Sequence, residues 1–203
     1  MVKSPSLMGR LRTAYFIFRF QKGVIHIKLS FAPPKYTSSV KEFAVYDSSK
    51  KVFGKMNRYS DNFFLHTIGR HVTRRAVQHI HIKNTTKEIT YQLKARNKVK
   101  NSIYAADFLI YKNDREIGSA SEAKIGNTLH FAMNGHTYKA HSPVTRFREL
   151  NFYAVEDEEE LFIGRAERQN PVDTTTVVTV HKEKTTLDPL LFAGLTWLHR
   201  SLK

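Results

Sequence analysis

The stretch TTLDPLLFAGLTWLHRSLK, residues 185–203, decides our prediction of the fold. Between Leu187 and Leu198 it carries a single charge, Asp188. Asp188 followed by Pro189 is typical of a helix start, because an Asp side chain accepts first-turn N–H bonds and proline tolerates the first helical position. A helix with almost no polar face is normally buried on all sides. The tail therefore predicts a buried apolar helix over about 188–202.

The chain that precedes this tail alternates apolar and polar residues with the period of two that is typical of strands. VIHIKLSF, residues 24–31, is the clearest case. Similar short segments follow it as EFAVYD, KVFGKM, NFFLHTI, AVQHIHIK, EITYQLKA, IYAADFLIY, EIGSASEA, TLHFAMN, HTYKAH, LNFYAV, ELFIGRA and TTTVVTVHK. Polar sequences such as DSSK, NTTK, KNDR, MNGH and EDEE separate several of them and are typical of turns. This pattern predicts an antiparallel barrel or sandwich.

The apolar tail favours the barrel, because the inside of a closed sheet can bury a helix completely. A helix over residues 189–202 would be about 20 Å long at 1.5 Å per residue, which matches the height of a barrel of short strands. Such a barrel needs more than about eight strands to make room for a helix. We predict a mainly β fold, a closed antiparallel barrel of about twelve strands around a buried C-terminal helix. We expect one domain over residues 1–203, with strands from about 14 to 181.

The closing sequence TTTVVTVHKEKTTLDPLLFAGLTWLHRSLK, a strand, a turn and an apolar helix after many short strands, resembles the tubby C-terminal-like superfamily. The resemblance is to the small bacterial tubby-like and LURP-one-related type. The resemblance covers about Thr13 to Lys203. It implies a twelve-stranded closed barrel around a central hydrophobic helix, and it favours lipid binding because tubby domains bind phosphoinositide headgroups. The chain lacks the cysteine cluster of the related scramblases.

Composition narrows the functional classes. The 203 residues include 33 Lys and Arg against 18 Asp and Glu, a formal charge of +15 that favours anionic partners. Absence of cysteine excludes disulfides and thiolate metal sites and fits a cytoplasmic protein. No apolar run approaches the ~20 residues of a membrane span, so we predict no transmembrane segment. We expect the protein to be cytoplasmic, with peripheral binding at the inner membrane face as a further possibility, and its oligomeric state stays open.

Two basic clusters are the candidate binding sites for anions or lipids. The sequence GRHVTRR, residues 69–75, is too polar for the core. In KARNKVK, residues 94–100, the cations fall on one face if the strand continues, and a row of like charges is costly unless an anion meets it. The residues that we select are Arg70, Arg74, Arg75, Lys94, Arg96, Lys98 and Lys100.

Three functions remain open from the sequence. The favoured one is a non-enzymatic module that presents a basic face to anionic phospholipid headgroups. The second is nucleic-acid binding through the same clusters. Aromatic residues that could stack on bases instead follow the apolar phase of the strands and are assigned to the core, Tyr91, Phe108 and Tyr111 among them. The third is a protein-interaction scaffold with no small ligand. No catalytic or cofactor motif is found, and we expect neither an enzyme nor a bound cofactor.

Two other clusters are interpreted as structural. His79 and His81 lie on one strand face, and we expect both to be exposed while Ile80 and Ile82 face the core. The next acid after them is Glu88, a spacing that does not fit a cupin-type metal site, so no metal is predicted. The acidic run over residues 156–160 is expected to be a solvated hairpin tip, because it lacks the alternating ligands and glycine of a calcium loop.

Overall fold

In this computed structural model, twelve strands contain more than half of the described residues. The residues that the structure describes are 25–34, 39–59, 79–96, 106–123, 127–146, 148–170 and 173–202. The strands are β1 His26–Phe31, β2 Phe43–Asp47, β3 Val52–Tyr59, β4 His79–Asn84, β5 Thr90–Ala95, β6 Asp107–Lys112, β7 Arg115–Glu122, β8 Thr128–Met133, β9 His136–His141, β10 Glu149–Glu156, β11 Glu159–Arg168 and β12 Thr176–His181. Short 3₁₀ helices lie at Val144–Arg146 and Lys182–Lys184.

The strands form a closed antiparallel barrel. Each strand pairs with its neighbours in sequence, and β1 pairs with β12 to close the sheet. At this closing seam His26 lies opposite His181, and Phe31 lies opposite Thr176. The predicted fold class is therefore confirmed, and the predicted segments account for all twelve strands. The additional segment NFFLHTI, residues 62–68, falls outside the described residues.

Tight turns join each even-numbered strand to the next odd-numbered one. Three of these turns have two successive residues with positive φ, which is the type I′ conformation that suits the twist of a hairpin. The pairs are Asn113 and Asp114 (49° and 63°), Asn134 and Gly135 (49° and 83°), and Asp157 and Glu158 (48° and 69°). The last pair confirms that the acidic run is a hairpin tip.

The C-terminal tail forms helix α1, Pro189–Ser201. The Asp188 carboxylate caps its first turn, because Oδ1 accepts a hydrogen bond from the Leu190 N–H at 2.9 Å. Every residue from Pro189 to His199 is buried. The prediction of a buried apolar helix is thus confirmed. Among the described residues, no helix is long and apolar enough to cross a membrane.

Apolar side chains from the inner face of the barrel pack around α1. The ring of Phe192 meets that of Phe152 edge to face at 4.8 Å between centroids. On another side of the helix, Gly194 lies so close to the wall that an added Cβ would be 2.1 Å from Ile82 Cδ1. The helix therefore fills the interior, and the two ends of the barrel are the places where a polar site can form.

Candidate anion-binding site

The barrel has two chemically different ends. Because consecutive strands are antiparallel, all odd-numbered strands run toward the same end, and the six odd-to-even connections begin and end there. Helix α1 also stops at this end, where Arg58 near the end of β3 donates to Ser201 Oγ. We call it the arginine end. The hairpin end is the opposite one, where the five tight turns and Asp188 at the start of α1 lie.

The sequence divides its charges unequally between these connections. The odd-to-even connections are residues 32–42, 60–78, 96–106, 123–127, 142–148 and 169–175. Together they contain eleven Lys and Arg against three Asp and Glu, whereas the five turns at the hairpin end contain three against four. The eleven cations are Lys35, Lys41, Arg70, Arg74, Arg75, Arg96, Lys98, Lys100, Lys124, Arg146 and Arg148.

A cavity of about 150 Å³ opens beside the C-terminus of α1 at the arginine end. Its described lining consists of Pro33, Pro34, Arg58, Arg168, Thr174, Trp197, Arg200 and Ser201. All charged residues in this described lining are arginines. The walls otherwise consist of two prolines, an indole and two hydroxyl groups. We call this the arginine cavity.

Arg200 is fixed in the cavity by neutral acceptors. Its Nη1 donates to Thr176 Oγ1, and its Nη2 donates to the Arg148 carbonyl oxygen at 3.0 Å. Burial, and secondarily the nearby positive charge of Arg168, lower the pKa of Arg200 to about 10. The guanidinium still remains charged near neutral pH. The surroundings of Arg200, neutral acceptors and a second cation, therefore favour a bound anion.

Arg168 and Arg58 approach the cavity from two different strands. Arg168 Nε donates to the Asp173 carbonyl oxygen at 2.8 Å, which holds its guanidinium plane. Arg58 is buried, its guanidinium carbon lies 4.5 Å from the Trp197 ring centroid, and burial lowers its pKa to about 10. Both side chains are therefore held in place by the fold.

Sequence reasoning missed these three arginines, although part of the signal was present. Arg58 follows the buried Met56 by two positions, and Arg168 follows the buried Ala166 in the same way. Each therefore continues the inward phase of its strand as a charged residue. Both strands end at the arginine end, and closure of the barrel brings these strand ends close to Arg200.

The predicted basic residues are described only in part. Arg70, Arg74, Arg75, Lys98 and Lys100 lie outside the described residues. Strand β5 ends at Ala95, so the strand does not continue to Arg96. Arg96 Nη1 lies 3.9 Å from Asp107 Oδ2, and its side chain is 62% exposed.

Lys94 lies on the outer face of β5, with its Nζ 4.9 Å from the ring centroid of Tyr111. This contact corrects the assignment of Tyr111 to the core, since Tyr111 is half-buried on the outer face of β6. Tyr91 and Phe108 are buried as predicted. The register shift between Ile110 and Tyr111 marks the point at which β6 becomes irregular.

The expectation that His79 is exposed was wrong. His79 is 1% exposed, because its Nδ1 accepts a hydrogen bond from the Ala95 N–H at 3.0 Å and its ring packs 5.1 Å from that of Tyr59. His81 is half-buried, and burial lowers its pKa. Ile80 and Ile82 face the core as predicted. Within the described ranges no three His, Asp or Glu side chains are grouped as a metal site.

A second cavity, of about 320 Å³, lies at the hairpin end. Its described lining mixes two acids, two lysines and a histidine with neutral residues: His136, Thr137, Tyr138, Ala154, Glu156, Lys182, Glu183, Lys184, Thr185 and Thr186. Burial, and secondarily the nearby Glu156, raise the pKa of Tyr138. The mixed charges give this cavity no preference for an anion.

Comparison with known proteins identifies the family. No curated protein sequence matches the chain. A solved structure of an Arabidopsis thaliana protein matches over 87% of this chain and 91% of that one, with a TM-score of 0.52 and 12% sequence identity, so the likeness concerns the fold alone. The family model of the Tubby C-terminal like domain matches residues 29–199, from the middle of β1 into the last turn of α1. The chain therefore belongs to the Tubby C-terminal like domain family.

Proposed function

We propose that this protein is a non-enzymatic binding module that attaches its arginine end to anionic phospholipid headgroups. The observation that carries the proposal is the charge division between the two sets of strand-to-strand connections, eleven cations against three acids at the arginine end and three against four at the hairpin end. A patch of one sign attracts a surface of the opposite sign. The uneven division also gives the barrel a defined orientation on such a surface.

The strength of this attachment follows from known membrane electrostatics. Each Lys or Arg close to an anionic leaflet contributes about 1 kcal/mol, so several together give reversible attachment without any inserted segment. The interaction acts within a Debye length of about 8 Å at physiological salt. Attachment should therefore weaken as the salt concentration rises.

Membership of the family supports a binding role. Domains of the Tubby-like family bind phosphoinositide lipids or act as scaffolds, and they are generally non-enzymatic. We also propose that the protein is cytoplasmic and binds peripherally to the inner face of the membrane. The lipid can be any that supplies a negative headgroup.

The proposed binding surface includes the clusters selected from the sequence. Arg70, Arg74 and Arg75 belong to the connection between β3 and β4, whose described ends, Tyr59 and His79, lie at the arginine end. Lys98 and Lys100 belong to the connection between β5 and β6, which also begins and ends there. Arg96 is the first residue of that connection, and Lys94 lies two positions before it.

Sedimentation with liposomes tests the proposal. The purified protein is mixed with neutral or anionic vesicles at low and at physiological salt. We expect it to pellet with anionic vesicles only, and less at higher salt. The triple variant Arg70→Ala, Arg74→Ala, Arg75→Ala should bind on the order of 100-fold more weakly, since three contributions of about 1 kcal/mol are lost.

A matched variant at the hairpin end separates position from total charge. This control also removes three positive charges, but from turns at the hairpin end, in the triple variant Lys50→Ala, Lys51→Ala, Lys87→Ala. It should change vesicle binding by less than a few-fold. Equal losses of vesicle binding in the two triple variants would reject an oriented surface.

Absence of pelleting at physiological salt would reject the lipid role altogether. A duplex oligonucleotide that then binds would favour nucleic acid, and binding of neither would favour a scaffold.

A further inference from the structure

The arginine cavity differs from the surrounding basic surface in having a fixed shape. Arg168 and Arg200 are each held by hydrogen bonds to backbone carbonyl or hydroxyl oxygens, which are neutral acceptors. Pro33, Pro34 and Trp197 form apolar walls beside them. Charges that are fixed next to apolar walls interact with a ligand more strongly than solvated charges do.

The electrostatics of this cavity favour an anion. The proximity of Arg168 contributes to the lowered pKa of Arg200, so the two guanidinium groups repel each other at close range. The Asp173 carboxylate near Arg168 is bonded to the Thr175 N–H and hydroxyl and does not line the cavity. An anion placed between the guanidinium groups would offset their repulsion.

The size and donor geometry narrow the class of anion. A cavity of about 150 Å³ is smaller than the roughly 300–1,000 Å³ typical of drug-sized ligand sites, so it suits one small group. A guanidinium presents a planar fork of N–H donors that matches phosphate oxygens bidentately. A phosphate monoester carries about −1.5 to −2 charge at pH 7 and three unsubstituted acceptor oxygens. A phosphodiester has two such oxygens and one charge.

We propose that the arginine cavity is a binding site for a phosphate monoester group, held by Arg168 and Arg200 beside Arg58 and the Trp197 ring. The group can belong to a lipid headgroup that projects from a membrane or to a small soluble molecule. This inference deepens the proposed membrane role, and its lipid arm rests on that role. It adds selectivity to a surface that otherwise responds only to charge density.

Vesicles that differ in phosphate chemistry test the lipid source. Phosphatidic acid carries a monoester and phosphatidylglycerol a diester, and the two are compared at matched surface potential. We expect the protein to prefer phosphatidic acid. Arg168→Gln and Arg200→Lys should each reduce this preference by roughly tenfold, because a charge-assisted bidentate contact is lost. Arg200→Lys keeps the positive charge, so a weaker preference for phosphatidic acid in this variant would show that the planar donor fork of the guanidinium is needed.

A matched control comes from the same strand. Arg165 lies three residues before Arg168 but is exposed on the outer face of β11, so Arg165→Gln should keep the preference for phosphatidic acid. Thermal unfolding of each variant shows whether its fold is intact. Should Arg200→Lys fail to fold, the more exposed Arg168→Gln still decides the question.

Calorimetric titration with glycerol 3-phosphate tests the soluble source. Binding that Arg168→Gln weakens and Arg165→Gln preserves would support the site, even where no vesicle binds and the membrane proposal has failed. Equal binding to both vesicle types, together with no glycerol 3-phosphate binding, would overturn the inference while leaving the membrane proposal intact. Absence of binding to every probe would overturn both.

Discussion

The two ends of this barrel are built from the same twelve strands but differ in their connections. At the hairpin end the connections between strands are tight turns, three of them with two residues of positive φ. At the arginine end the connections are of five to nineteen residues and carry most of the connection cations. Tight turns have little freedom beyond closing a hairpin, whereas longer connections can carry function on a rigid scaffold. The difference fits the proposed division of roles, with structure mainly at one end and binding at the other.

Removal of the helix should have the largest effect, since α1 joins the two ends through the interior. A chain that stops at Thr186 lacks the helix around which the inner side chains of the barrel pack, and we expect it to be insoluble or unfolded. Expression in the soluble fraction and circular dichroism measure this. A soluble truncated chain with the same cooperative thermal unfolding as the full chain would disprove the structural role of the helix.

Phe192→Ala should lower stability strongly at the middle of the barrel, away from both ends. Its ring is buried and packs edge to face on Phe152, so truncation costs about 3–5 kcal/mol. The Tm should fall by roughly 10 °C. Phe192→Leu serves as the control, with a smaller loss expected. An unchanged Tm for Phe192→Ala would contradict the tight packing of α1.

Asp188→Ala perturbs the hairpin end alone. The Oδ1 cap to the Leu190 N–H is lost, which costs about 1 kcal/mol, while Asp188→Asn retains an acceptor and should be nearly neutral. Thermal unfolding measures the change. Affinity for anionic vesicles should remain that of the unmodified protein. A large loss of vesicle binding would show that the two ends are coupled.

The smallest expected effect is on the pH dependence of folding stability, and it also concerns the hairpin end. Burial lowers the pKa of His181, with further lowering by His26, Lys184 and Arg165 that Glu183 opposes. Because the unfolded chain binds the proton more readily, stability is complete above about pH 6.5 and falls as pH drops through this value. His181→Gln should reduce this fall in Tm by less than about 3 °C. A stability that rises on acidification would contradict the assignment.

Most of the fold could be predicted because it depends on local patterns. Alternation in segments such as VIHIKLSF and turns such as MNGH specify strands and hairpins, and the apolar tail specifies what fills the barrel. Prediction failed where tertiary packing decides the environment. His79 occupies an outward position, yet the Ala95 N–H and the Tyr59 ring bury it.

The candidate site was less predictable for a different reason. Clusters such as GRHVTRR are visible because their cations are adjacent in sequence. Arg58, Arg168 and Arg200 are separated by 110 and 32 positions and meet only through closure of the barrel and the position of α1. A charged residue in the inward phase at the end of a strand is the sequence signal that could have identified Arg58 and Arg168.

One measurement tests the central claim, that the arginine end faces the anionic surface. The chain contains no cysteine, so a single introduced thiol can carry an environment-sensitive fluorophore. Thr145→Cys places it on an exposed position at the arginine end, and Ser48→Cys on one at the hairpin end. On addition of anionic vesicles, we expect a blue shift for the label at 145 and none at 48. Equal shifts, or a shift at 48 alone, would contradict an arginine end that faces the membrane.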